Sequence, residues 1–170
     1  MFDVTKSRRN FREVEWKKIF SKLDLPEAYL WVKVDEECSK LLTINTHKRL
    51  YKSNRLPFGI KLAPGIFQQV MDIMLTGSDF AVAYLDDILI KSESHGQHAE
   101  HVKNVFERIK DYGFKLSKEK CEFFMPRIKY LGQIIDENGY RPDPSRASAI
   151  QNMPPLKNIT TLEAFWGLTN

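Results

Sequence analysis

The chain has 170 residues, a hydrophobic fraction of 42%, an aromatic fraction of 12%, and a formal charge of +4 from 26 basic and 22 acidic side chains. That length suits one domain with a real core, and the composition excludes a disordered tail. Cys38 and Cys121 stand far apart without metal-ligand spacing, and no apolar run reaches the roughly 18 residues of a membrane span, which excludes a disulfide framework and a membrane helix.

The start, MFDVTKSRRNF, has no signal-peptide core, so an intracellular location, cytoplasm or nucleus, is expected. Residues 1–18 carry the basic cluster Lys6, Arg8, Arg9 and Arg12 without periodicity and receive no element. IFSKLDL predicts a short strand. After it, Leu30, Val32 and Val34 alternate with Trp31 and Lys33, a period-2 pattern that predicts another. LLTINTHKRLYKSNRLPFG predicts a hairpin around a polar Asn-Thr-His-Lys turn.

LAPGIFQQVMDIML predicts a helix with Pro64 in its first turn and an apolar stripe of Ile66, Phe67, Val70, Met71 and Met74. FAVAYLDDILI predicts two strands joined tightly at Asp86-Asp87. HAEHVKNVFERIKDYGF predicts a helix with Val102, Val105, Phe106, Ile109 and Tyr112 on one face, stopped at Gly113. IKYLGQIIDENGY predicts a hairpin with a Glu-Asn-Gly turn. Asp143-Pro144 opens a further helix, and Thr160 with Glu163 has capping-box spacing for a last one. The order predicts an α+β fold with helices packed on an antiparallel sheet.

Two carboxylates inside the apolar run AVAYLDDILI need a reason, because adjacent like charges are costly away from water unless paired or bound to a cation. Asp24 is a third acid in an apolar strand. If its strand lies beside the 81–90 hairpin, Asp24, Asp86 and Asp87 converge on one surface and supply hard oxygen ligands suited to Mg²⁺. A pair of such ions about 3.5–4 Å apart clamps the attacking and leaving oxygens of a phosphoryl transfer. Spacing alone equally admits a surface turn, carboxylates paired with Lys or Arg, or another two-metal palm enzyme such as a nucleotide cyclase. His95, His98 and His101 drift around a helix face, and imidazole is the wrong partner for Mg²⁺.

KLDLPEAYL, LPFGIKLAPGIFQQVM, YLDDILI, GFKLSKEKCEFF and YLGQII, in this order, resemble the palm of reverse transcriptases over about positions 19–168. LPFG, KCEFF and RPDPSRASAIQNMPPLKN are similar to the gypsy-type LTR retrotransposon branch. The resemblance implies a right-hand polymerase palm that adds dNTP to a DNA primer 3′-OH on an RNA or DNA template, with two Mg²⁺ ions or Mn²⁺ in their place. It implies catalytic, metal-holding roles for Asp24, Asp86 and Asp87, with the Leu25 carbonyl as a further ligand. Tyr29 matches the residue that excludes a ribose 2′-OH. Phe58 and Gly59 match the segment flanking the nucleotide, and Lys120, with Lys118 as rival, matches the lysine near the triphosphate. Tyr130, Leu131 and Gly132 match the primer grip.

Only 23 residues precede Asp24, and they do not resemble fingers. The resemblance therefore implies incomplete fingers and thumb: an unassigned segment 1–18, a palm over 19–135, and the start of a thumb or connection over 136–170. Its alternative is a catalytically impaired retrotransposon-derived fragment that at most binds nucleic acid or a partner.

Overall fold

The computed structural model describes residues 18–153 and 158–169, so the basic cluster at positions 6–12 lies outside the described residues. Strand β1 (Ile19–Asp24) opens the fold. The expected strand around Leu30 is instead a 3₁₀ turn over Ala28–Trp31, entered through left-handed Glu27 at φ 53°. Pro26 and that turn override the period-2 pattern; only Lys33 makes a β-bridge, to Arg55. A short helix, α1 (Glu36–Leu41), follows, its first turn closed by the Asp35 carboxylate, which accepts the Cys38 N–H at 2.7 Å.

The expected hairpin is β2 (Thr43–Asn45) and β3 (Leu50–Lys52), solvent-exposed throughout. Helix α2 (Ala63–Met74) buries Phe67, Met71 and Met74, while Ile66 of the expected stripe faces solvent. Strands β4 (Ala81–Tyr84) and β5 (Asp87–Ser92) form the tight hairpin. Its two connecting residues are Leu85 and Asp86, so the register lies one residue earlier than expected and Asp87 belongs to β5 opposite Tyr84. Helix α3 (His95–Asp111) starts behind Ser94, whose hydroxyl accepts the Gln97 N–H.

A 3₁₀ turn at Lys118–Lys120 leads to β6 (Glu122–Met125), a strand the pattern did not announce. Strands β7 (Ile128–Tyr130), β8 (Gln133–Asp136) and β9 (Gly139–Pro142) make a second antiparallel sheet, and the 135/136 boundary drawn from the motifs falls inside β8. Helix α4 (Pro144–Gln151) begins at the Asp143 cap as expected. Helix α5 (Ile159–Thr169) starts before the expected cap position, and Asn158 Oδ1 accepts the Thr161 N–H at 2.9 Å. Among the described residues, no helix is long and apolar enough to cross a membrane.

The main sheet has the order β4-β5-β1-β6. Alternation along β1 sends Leu23 toward α2 and α3, where it joins Phe67, Met71, Ile88, Ile90 and Val105 in the larger core. Phe20 points to the opposite face and packs with Leu89, Ile128, Tyr130 and Ile135 under the second sheet. Covered on both sides, β5 is buried from Ile88 to Ser92, which explains the apolar run Ile88, Leu89 and Ile90. Asp24 and Asp87 stand at the end of these strands, each partly exposed, with 19% and 25% of the side chain accessible.

Several polar residues are buried, and His98 lies at the centre of one such group with Ser21 and Ser92. It is fully buried, its Nε2 shares a hydrogen bond with Ser21 Oγ at 2.7 Å, and its Nδ1 shares one with Ser92 Oγ at 2.8 Å. The ring thus ties α3 to both central strands. Burial, with smaller contributions from His101 and His95, pushes its pKa down from 6.5 to about 4. A folded-state value below the unfolded one means that this stabilisation is complete above about pH 6.5 and is lost as pH falls toward 4. Thermal unfolding across that window should show a loss on the order of 2–3 kcal/mol that is absent in His98→Gln.

Candidate active site

The β1–β5 register sets Asp24 directly opposite Asp87, so the two side chains share a face. The Leu25 N–H donates to the Asp86 carbonyl at 2.8 Å, locking the end of β1 to the β4–β5 turn. The three predicted carboxylates are therefore brought to one end of the central strands. Burial raises the Asp86 pKa, the charges of Asp87 and Asp24 raise it further, and Lys120 opposes them. Asp86 thus sits in the negative field of both other acids.

Two lysines offset it. Lys22, on the same face of β1, lies 3.4 Å from Asp87 Oδ2, and Lys120 lies 3.9 Å from Asp24 Oδ1. The second distance is too long for a hydrogen bond, and Asp24 Oδ1 is a buried acceptor without one. A buried carboxylate oxygen left in that state is costly unless a cation meets it. Among the described residues, no three His, Cys, Asp or Glu side chains are gathered closely enough to hold an ion as they stand. The donor set itself, all oxygen with one unsatisfied atom, fits a hard divalent cation.

Around the acids, the other predicted residues fall into two groups. Lys120 is carried by the 3₁₀ turn whose Ser117 N–H donates to the Asp24 carbonyl at 3.0 Å, so backbone pairing holds it beside the site. Tyr29 is half-buried, edge-on to Phe58 at 5.4 Å and to Phe67 at 5.5 Å. Its phenol pKa is raised by burial and then by Asp86, which puts the ring within electrostatic reach of the carboxylates. Phe58 is 60% exposed and Gly59 has φ +88°, a backbone shape that favours glycine. These two leave an open floor beside Tyr29.

Tyr130 belongs to the second group. Only 2% exposed, it is a core residue whose hydroxyl lies 3.5 Å from the carbonyls of Val82 and Asp87, beneath the acidic hairpin. Of the three residues matched to the primer grip, Leu131 and Gly132 form the turn between β7 and β8, with φ 50° and 73°. Leu131 is exposed there and the Tyr130 ring is not.

Two neighbours were missed by the sequence reading. Lys22 reads as a solvated strand lysine, and its only signal is its position two residues before Asp24. Gln68 reads as a polar helix residue, yet its Oε1 accepts the Leu85 N–H at 2.9 Å and its Nε2 donates to the Ala83 carbonyl at 3.0 Å.

Comparison with known proteins bears on the family and the fold. A family described as "Reverse transcriptase (RNA-dependent DNA polymerase)" matches residues 2–135, including the N-terminal segment that the motifs left unassigned. An uncharacterized protein of Caenorhabditis elegans is 42% identical over 149 residues, covering 88% of this chain and 12% of that protein. The Retrovirus-related Pol polyprotein from transposon 412 of Drosophila melanogaster is 34% identical over 155 residues, 90% of this chain and 12% of the polyprotein. This chain thus spans about an eighth of the length of these relatives. Among solved structures, the foamy viral protease-reverse transcriptase in complex with double-stranded DNA superposes with a TM-score of 0.83 at 20% identity, over 95% of this chain and 29% of that one. A second foamy viral structure, in complex with RNA/DNA hybrid, gives a TM-score of 0.81 at 20% identity, over 95% and 22%. The match to the family spans most of the chain, and the chain belongs to the reverse transcriptases, the RNA-dependent DNA polymerases.

Proposed function

We propose that this chain is a polymerase palm that adds a dNTP to a primer 3′-OH on an RNA or DNA template. The observation that carries the reading is the placement of Asp24, Asp86 and Asp87 at one end of the central strands, with Asp24 Oδ1 buried and without a hydrogen bond. Family membership supplies the reaction class. The foamy viral relatives of the same fold, in complex with double-stranded DNA and with RNA/DNA hybrid, favour duplex nucleic acid as the partner.

In this reading Asp24 and Asp86 hold two Mg²⁺ ions, with Asp87 and the Leu25 carbonyl assisting. Those ions, when bound, activate the 3′-OH and neutralise charge on the phosphoryl group and the leaving pyrophosphate. The chain's own residues do the rest. Lys120, held beside Asp24 by the Ser117–Asp24 backbone bond, offers a positive charge to the triphosphate. The exposed Leu131–Gly132 turn meets the primer strand, and Tyr130 supports it from beneath the acidic hairpin. Phe58 and Gly59 form the floor on which base and sugar rest.

Tyr29 sets sugar choice by occupying the space of a ribose 2′-OH, wedged upright between Phe58 and Phe67. Tyr29→Ala should raise ribonucleotide incorporation relative to dNTP by at least tenfold, as read by alkali-sensitive primer extension. The function itself is tested by extension of a labelled DNA primer on an RNA template. Extension in Mg²⁺ that stops on chelation is the expected result; nucleotide-independent or metal-independent signal would reject the reading.

A further inference from the structure

The β4–β5 turn has no stabilising sequence of its own. Its first residue, Leu85, sits at φ 50°, a left-handed conformation that leucine adopts at a cost, and its second residue is Asp86. A two-residue hairpin with glycine or asparagine would form unaided; Leu-Asp needs support from outside. That support comes from α2. The carboxamide of Gln68 lies across the base of the turn, accepting from the Leu85 N–H at 2.9 Å and donating to the Ala83 carbonyl at 3.0 Å. Its amide also donates to Asp72 Oδ1, one helical turn on, at 2.9 Å. With two acceptors on the nitrogen side and a donor on the oxygen side, only one orientation of the carboxamide satisfies all three partners.

We propose that Gln68 is a positioning residue for the metal-binding turn: by clamping Ala83 and Leu85 it holds the turn at Asp86 against the end of β1, where the Leu25 N–H donates to the Asp86 carbonyl. This rests on the reading of Asp24, Asp86 and Asp87 as the metal site. The adjacent residue on α2, Phe67, packs against Tyr29. One helix therefore supports both the sugar-facing ring and the metal-facing carboxylate, and a shift of α2 moves the two together. Gln68 acts through the backbone of the turn, which it bonds at Leu85 and Ala83.

Gln68→Met keeps the size of the side chain and removes the three hydrogen bonds. Gln68→Glu keeps the acceptor for Leu85 but sets a carboxylate oxygen against the Ala83 carbonyl and the Asp72 carboxylate. The measurements are the hydrogen-exchange rate of the Leu85 amide by NMR and the affinity for Mn²⁺ by calorimetric titration, with Asp86→Asn and wild type alongside. Gln68→Met should speed Leu85 exchange at least tenfold and weaken Mn²⁺ binding by about 10–100-fold, the usual effect of losing an outer-shell partner. Amides in the core of α3 should keep their wild-type rates. Gln68→Glu should fall between the two in Leu85 exchange and serves as the test if Gln68→Met does not fold. Wild-type Mn²⁺ affinity in a folded Gln68→Met, or unchanged Leu85 exchange, overturns the inference while Asp86→Asn still loses the ion. If Asp86→Asn binds Mn²⁺ as wild type does, or wild type binds none, the metal-site reading fails and the inference falls with it.

Discussion

Asp86→Asn will abolish Mg²⁺-dependent primer extension, by a factor of about 10³ or more, and will not lower the melting temperature. The first half follows from chemistry. An amide in place of a carboxylate removes a full negative charge from the proposed ligand set, and in that reading transition-state stabilisation worth several kcal/mol depends on it. The second half follows from the electrostatics of the folded chain. Asp86 already has its pKa raised by burial and by the neighbouring charges of Asp87 and Asp24. Removing one of three mutually repelling charges relieves the fold at the same time as it disables the site, the usual opposition of stability and function at such positions. A variant that is inactive and melts at or above the wild-type temperature is the expected pair of results, from primer extension and thermal denaturation by circular dichroism. An inactive variant that melts well below wild type would mean that Asp86 is structural.

The second large effect is on stability. Phe67 is fully buried, meets Phe114 edge-on at 5.8 Å and supports Tyr29 at 5.5 Å. It joins α2 to the core and to the wall of the proposed nucleotide site. Phe67→Ala leaves a cavity where three elements meet, and deletions of this kind cost about 3–5 kcal/mol. For a chain of this size that corresponds to a fall of about 6–20 °C in melting temperature. The cavity also removes the lower face of Tyr29, so discrimination against ribonucleotides should weaken in whatever fraction remains folded. Phe67→Leu should retain most of both properties. Equal stability of Phe67→Ala and wild type would show that the α2 contact is not part of the core.

How much of this was legible beforehand depends on the range of the contacts. Helices α2 and α3 were readable because Phe67, Met71, Val102, Val105 and Ile109 repeat at helical spacing. Asp24, Asp86 and Asp87 stood out because charges in apolar runs demand a reason, and the sheet register brings Asp24 opposite Asp87. The strand expected at Leu30 failed because Pro26 and left-handed Glu27 start a 3₁₀ turn, and alternation over five residues is weaker than that local constraint. Helix α1 carried its signals openly, with Asp35 at the cap, Glu36 and Glu37 in the first turn and Lys40 in the last, but six residues show little periodicity. The hairpin register slipped by one because Asp is a commoner turn residue than Leu; the left-handed Leu85 is tolerated where Gln68 accepts its N–H from 17 positions away. His98 bonded to Ser21 across 77 positions has no local signature at all.

The central claim is that Asp24, Asp86 and Asp87 form a divalent-metal site, and it can be tested without activity. Mn²⁺ added in small increments to the isotope-labelled chain broadens NMR signals near the bound ion. The account predicts early broadening of the amides of Asp24, Leu25, Asp86 and Asp87, its reversal by excess Mg²⁺, and its loss in Asp86→Asn. Broadening that spares these amides, or that persists unchanged in Asp86→Asn, would contradict it.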